Sequence, residues 1–364
     1  MGILKSLFEK KSDKPNVKVS LEMKKEGSSI VNNENKVSKK IQDLILIYFS
    51  EKYKVQEKNF PDSFRSDYGI GFPAEKYKEL EKKGFIRPSS ASETLPFLKV
   101  AELKNIASQF GLKQTGKKDE LCKRIAESVT EEELDKLIEE KYWRITEKGN
   151  AFLSENPYIS FYFAPHEYHL RYIGLDINSF SKLFQQQNSG RVRDVLWGEF
   201  NRRSIEYFQK ALKNGDFYDY CELLHTMALF LKEEKRYEEA FKKYMSFLHY
   251  RANFKAGMNV LQYYYVWSEF DILSVRLYGE VEMDSFIARE IMSISEGCGY
   301  DSELLKRYML EAFSEEQDIG LFSPKELTEL TMYGLNGDKE NEKKLCDSAL
   351  KVALKKLPKR KRKR

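Results

Sequence analysis

The sequence predicts a mainly α protein, and three observations carry that prediction. From Ser38 onward, apolar residues recur at helical spacing, as in Ile41, Leu44, Ile45, Tyr48 and Phe49. Extended character is confined to two short stretches, around Phe85-Ile86 and "KYWRI" (Lys141 to Ile145). Beyond Ser160 the chain is aromatic-rich and helical in pattern to its end.

Length and composition bound the rest. A chain of 364 residues with 41% hydrophobic and 33% charged residues suggests two or three domains with a heavily solvated surface. The longest strong apolar run, "LILIYF" (Leu44 to Phe49), is far short of the roughly 20 residues needed to cross a bilayer, so no membrane partner is expected. "MGILKSLFEKK" has neither the apolar core nor the cleavage site of a signal peptide. Cys122, Cys221, Cys298 and Cys346 are widely spread, which reads as reduced thiols in a cytoplasmic protein. The net charge of +5 is uneven. Residues 1–40 carry 10 basic and 5 acidic side chains, residues 96–126 carry 7 and 3, and the tail from Lys355 carries 8 and none, leaving an acidic body between 127 and 354. Such asymmetry suggests localised contact with a polyanion.

Taken in order, residues 1–35 read as a disordered basic arm. A helix follows from Ser38, then loops at Pro61-Asp62 and "DYGIGFP". Pro73 suits the first position of a second helix that ends near Gly84. "FPAEKYKELEKKGFIRPSS" is then helix, glycine stop and extended pair, and "KYWRITEKGNAFLSENP" is extended stretch, Thr146 cap and short helix. Joined, the two read helix–strand–turn–strand–helix. They resemble a MarR-type winged helix, split so that residues 36–95 and 140–158 form it with a segment inserted into the wing. The resemblance implies a recognition helix that includes Lys76, with Arg87 and Arg144 at the wing base. On that helix Ala74, Tyr77 and Leu80 face inward, but Glu75, Glu79 and Glu81 share the outer side with the lysines, which disfavours a phosphate groove.

The insert, 96–139, is two amphipathic stretches joined by "GLKQTGKK". Val100, Leu103, Ile106, Ala107 and Phe110 share one face of the first, and Leu121, Cys122, Ile125 and Val129 share one face of the second. Gly111 and Gly116 permit a tight reversal. So small a unit buries little area and is expected to lean on a neighbour. The pattern Leu98, Val100, Glu102-Leu103-Lys104, Gly111-Leu112, Gly116-Lys117-Lys118, Glu120-Leu121, Arg124-Ile125 resembles the SAP motif over its whole length. The resemblance implies a helix–turn–helix-like module that binds double-stranded DNA. Lys113, Thr115, Gly116, Lys117 and Lys118 would line the backbone, flanked by Lys104, Lys123 and Arg124. A helix start favours phosphate through its free N–H groups and dipole, whereas lysines there oppose the dipole until an anion arrives. Thr130 with Glu133 forms a capping box for a further helix, "EEELDKLIEEKYW".

Residues 160–354 are expected to form a helical domain. "LLHTMALFLKEEKRYEEAFKKYMSFL" resembles the tetratricopeptide repeat in part: Ala228 and Ala240 fall on its small positions and Leu231, Tyr244 and Phe247 on its large ones. An offset of 36 aligns Ser204, Phe208 and Ala211 with Ala240, Tyr244 and Phe247, against a usual period of about 34. Further helices are expected near 258–280, 302–313, 324–334 and 339–357. Such an array implies a protein partner or self-association. The tail 355–364 is a like-charge block that binds nucleic acid nonspecifically, or targets a nucleus where the cell has one. His166 and His169 lack the H-E-x-x-H spacing and any accompanying ligand cluster, so no metal is expected. No Walker loop, G-x-G-x-x-G or G-x-S-x-G is present, so neither cofactor nor catalysis is expected. Two functions follow: a non-catalytic DNA-binding regulator or accessory factor, or a protein-interaction scaffold with weak DNA contact.

Overall fold

The computed structural model describes residues 37–163, 167–186, 191–267, 269–316 and 320–357. The expected arm at 1–35, His166 and most of the expected tail, 358–364, lie outside the described residues. The chain divides into a front unit, 37–171 with Leu175–Val192, and a back unit, Tyr172–Gly174 with 193–357. The division falls near residue 192 rather than at the expected 160. The cause is aromatic: Phe163 packs on Tyr48 and Phe49 with ring centroids 5.6 and 4.9 Å apart, which holds the segment after 158 to the front of the chain.

The front unit opens with α1, Lys39–Phe49, whose start is capped by Ser38 Oγ accepting from Ile41 N at 3.3 Å. Ile41 and the run from Leu44 to Ile47 are buried. After α2, Ser63–Ser66, comes α3, Pro73–Lys82, with Pro73 in its first turn and Tyr77 and Leu80 buried. Gly84 takes φ +76°, which stops the helix and turns the chain into β1, Ile86–Pro88. Its partner β2, Trp143–Ile145, is far along the sequence but pairs antiparallel with it, Ile86 opposite Ile145 and Pro88 opposite Trp143. A third extended piece joins through the Lys54–Tyr142 bridge.

Between the strands are four helices: α4, Ala91–Thr94; α5, Val100–Gln109; α6, Lys118–Ser128; and α7, Glu131–Asp135. The last is much shorter than the expected helix through Trp143, since the chain has to extend again to reach β2. α8, Glu147–Ser154, follows, and Thr146 ties it to the other strand: its Oγ1 donates to Gly84 O at 2.7 Å and accepts from Gly149 N at 3.1 Å. The front unit closes with α9, Tyr158–Phe161; α10, Glu167–Tyr172; and α11, Ile177–Gln186.

Every regular element among the back unit's described residues is a helix. It holds α12, Val192–Asn214; α13, Tyr218–Glu233; and α14, Tyr237–Tyr250. Ala228 and Ala240 are completely buried where α13 and α14 pack, so the small residues stand where two helices need close approach. A π-helical segment, Arg251–Ala256, leads into α15, Gly257–Trp267, and α16, Phe270–Val281. These two replace the single helix expected over 258–280. α17, Ser285–Cys298, is an element beyond those expected, although Asp284 caps it, Ile287, Ile291 and Ile294 form its buried stripe and Gly299 at φ +73° ends it. α18, Ser302–Glu315; α19, Pro324–Leu335; and α20, Lys339–Lys356, complete the unit. Lys355 and Lys356, expected in the tail, are the last turn of α20.

Candidate nucleic-acid interface

The inserted helices have a core of their own. Leu103, Ile106 and Ala107 of α5 meet Leu121 and Ile125 of α6, and Ala91 of α4, Leu95, Val129, Leu134 of α7 and Ile138 complete the cluster. The segment therefore closes on its own flanks instead of depending on a larger neighbour. Val100, expected inside, is 42% exposed, because the apolar face of α5 begins only at Leu103.

The turn between α5 and α6 is set by backbone chemistry. Gly111 at φ +66° ends α5, and Leu112 N returns to Ala107 O at 2.7 Å. Gly116 at φ +127° precedes α6, and a Cβ there would be 2.5 Å from Glu120 Oε2. Lys113, Thr115, Gly116 and Lys117 are exposed and Lys118 is half-buried. Lys104, on α5, is also exposed. Among the described residues these lysines enter no ion pair. Lys123 is only 3.8 Å from Glu127 and largely solvated.

Arg124 has a different task from the expected flanking contact. Its Nη1 donates to Lys113 O and, at 3.1 Å, to Thr115 O. The guanidinium holds the turn in shape, so Arg124 is a positioning residue that leaves the lysines to face outward.

All four α-helices between the strands begin with one device. A glutamate in the third helical position accepts the backbone N–H of the cap residue: Glu93 from Ser90 at 2.8 Å, Glu102 from Lys99 at 2.6 Å, Glu120 from Lys117 at 3.1 Å and Glu133 from Thr130 at 3.0 Å. Of these, the Thr130–Glu133 pair is the one expected from sequence. At α6, Asp119 and Glu120 already offset the helix dipole, so Lys117 and Lys118 do not destabilise the free protein in the way the lysines alone imply. Glu120→Gln keeps a capping acceptor while removing charge beside the exposed lysines. A several-fold rise in duplex affinity with little change in thermal stability is expected, checked by fluorescence anisotropy and melting; weaker binding would mean that the carboxylate shapes the turn.

The three cations expected on the split strand domain are each held by carboxylates. Lys76 Nζ is 3.0 Å from Glu79. Arg87 makes a two-pronged contact with Glu93, both bonds 2.7 Å. Arg144 Nη1 is 3.2 Å from Glu51. The Arg87 hydrogen bonds, foremost, pull the Glu93 carboxyl down to about 2. A depressed carboxylate stabilises above its unfolded pKa of about 4.3 and loses that contribution as pH falls toward 2. Glu93→Gln should therefore cost roughly 0.2–1 kcal/mol at neutral pH, modest because the pair is partly solvated, and the difference from the parent should shrink below pH 4 in acid titrations.

No described helix is long and apolar enough to cross a membrane. Compared with curated proteins, the chain finds no match. The family model described as SAP domain matches residues 98–130, which span α5, the lysine-bearing turn and α6. Residues 98–130 are thus a SAP domain, a module that points to DNA binding.

Proposed function

We propose that this protein binds double-stranded DNA without catalysing a reaction on it. Its SAP turn contacts backbone phosphates through Lys113, Lys117 and Lys118 with the amides at Thr115 and Gly116. The observation that carries this reading is the turn itself: lysines outside any ion pair stand on a backbone that Arg124 and two glycines hold outward. Contacts of this kind orient a protein on duplex without reading bases, so weak sequence preference is expected. The strand pair and its helices are a winged-helix scaffold whose paired Lys76, Arg87 and Arg144 stabilise the fold rather than reach for DNA.

The back unit serves recruitment. Its TPR-like hairpin borders an open groove of about 660 Å³, lined by Trp197, Met227 and Leu231 with charged residues of both signs, dimensions suited to a peptide. The whole then acts as a regulatory or accessory factor in the cytoplasm, or in the nucleus if the cell has one. Anisotropy with duplex, single-stranded and RNA probes over a salt series tests the DNA assignment. Steep salt dependence with duplex preference is the expected result. Equal weak binding to all three would favour the scaffold reading, to which the internal pairing of the wing arginines already lends weight.

A further inference from the structure

Three helices of the front unit bring their lysines to one seam. Lys39 and Lys40 open α1, Lys83 closes α3 and Lys148 is in the first turn of α8. Specific bonds tie the seam together. Lys83 Nζ is 2.7 Å from Asp43 on α1, Lys148 Nζ donates to Lys83 O at 2.7 Å, and Lys40 Nζ stands 5.9 Å from the Phe152 ring of α8. All four lysines are exposed. The Lys76 hydrogen bond foremost, with the charges of Lys39 and Lys83, holds the Glu79 carboxyl of α3 below its ordinary range, so Glu79 borders the seam already paired. Four lysines thus meet at a seam bordered by two carboxylates: Glu79, which Lys76 already pairs, and Asp43, largely buried beneath Lys83.

Among the described residues Lys83 is the only one of the four in an ion pair, so a polyanion can neutralise several at once and release its counterions. The sequence leading into this seam is itself basic, with 8 basic against 5 acidic residues over 1–38.

We infer that the α1–α3–α8 lysine seam is a second phosphate-binding surface, which engages duplex backbone in addition to the SAP turn. The inference rests on the DNA-binding reading and extends it from one anchor to two. Linked anchors on one duplex raise apparent affinity beyond either alone, provided the duplex spans both.

Lys39→Gln with Lys40→Gln tests it in the full chain, since neither lysine holds an ion pair among the described residues. On a duplex of about 30 base pairs, the slope of log affinity against log salt should fall by about 0.9 for each phosphate no longer neutralised, hence by up to about 1.8. An unchanged slope and affinity, with melting temperature retained, overturns the second surface. Lys117→Gln with Lys118→Gln reports separately on the SAP turn. If only the α1 pair weakens binding, the seam stands and the SAP assignment fails; if only the SAP pair does, the reverse holds.

Discussion

Reversing charge with Lys117→Glu and Lys118→Glu should remove most of this protein's affinity for duplex DNA. Each neutralised phosphate carries about 0.9 of salt slope, so two are worth about 1.8 decades, or roughly sixtyfold, near 0.1 M salt. Reversal adds repulsion to that effect. The substitution is also unusually clean. Acidic residues in the first turn of a helix favour its dipole, so α6 should fold at least as well as before. Lys117 is exposed and Lys118 half-buried, and the apolar packing of the module runs through the fully buried Leu121 and Ile125. Abolished binding with an unchanged melt would therefore report on electrostatics at the turn. Affinity within twofold of the parent across the salt series would remove the SAP turn as the DNA-binding element.

How far this site can be read from sequence depends on the range of each interaction. Local chemistry is legible. Pro73 and Gly84 bracket α3, Thr146 caps α8 and Gly111 ends α5, because each rule involves residues within a few positions of one another. The glutamate caps at Glu102 and Glu120 are equally local, yet a lysine in the cap position disguises them, since the familiar pattern begins with serine or threonine. Arg124 misleads for a different reason. An arginine in a basic motif suggests a ligand contact, and nothing nearby in sequence reveals that its guanidinium folds back onto Lys113 and Thr115. Arg144 and Glu51 are further apart still, and it is the extended piece after α1, joined to the start of β2 by Trp143 N donating to Tyr53 O and by the Lys54–Tyr142 bridge, that brings them together. Long-range ion pairs consume charge that sequence counting leaves free. That is why the wing looks more basic in sequence than it is in the fold.

The glycine of "ITEKG" makes the largest stability prediction. At Gly149 an added Cβ would fall well inside contact distance of the Phe85 carbonyl oxygen and 2.7 Å from Ile145 Cγ2. One of those neighbours is backbone, fixed by the Gly84 turn on one side and by β1 on the other, so it yields only if the strand moves. Gly149→Ala therefore has to push α8 off the strand pair, and with it the Thr146 bonds to Gly84 O and Phe85 O. Overpacking of this kind costs about 1–3 kcal/mol, more where backbone is displaced. For a unit of this size that lowers the melting temperature by roughly 5–10 °C. The helices between the strands close a separate apolar cluster, which Gly149 does not touch. Hydrogen exchange should then show faster amide exchange in β1, β2 and α8 while Leu103 to Ile106 and Leu121 to Ile125 stay protected. Equal loss of protection in both would mean that the SAP core borrows its stability from the strand pair, and that the insertion is one cooperative unit with the domain that hosts it.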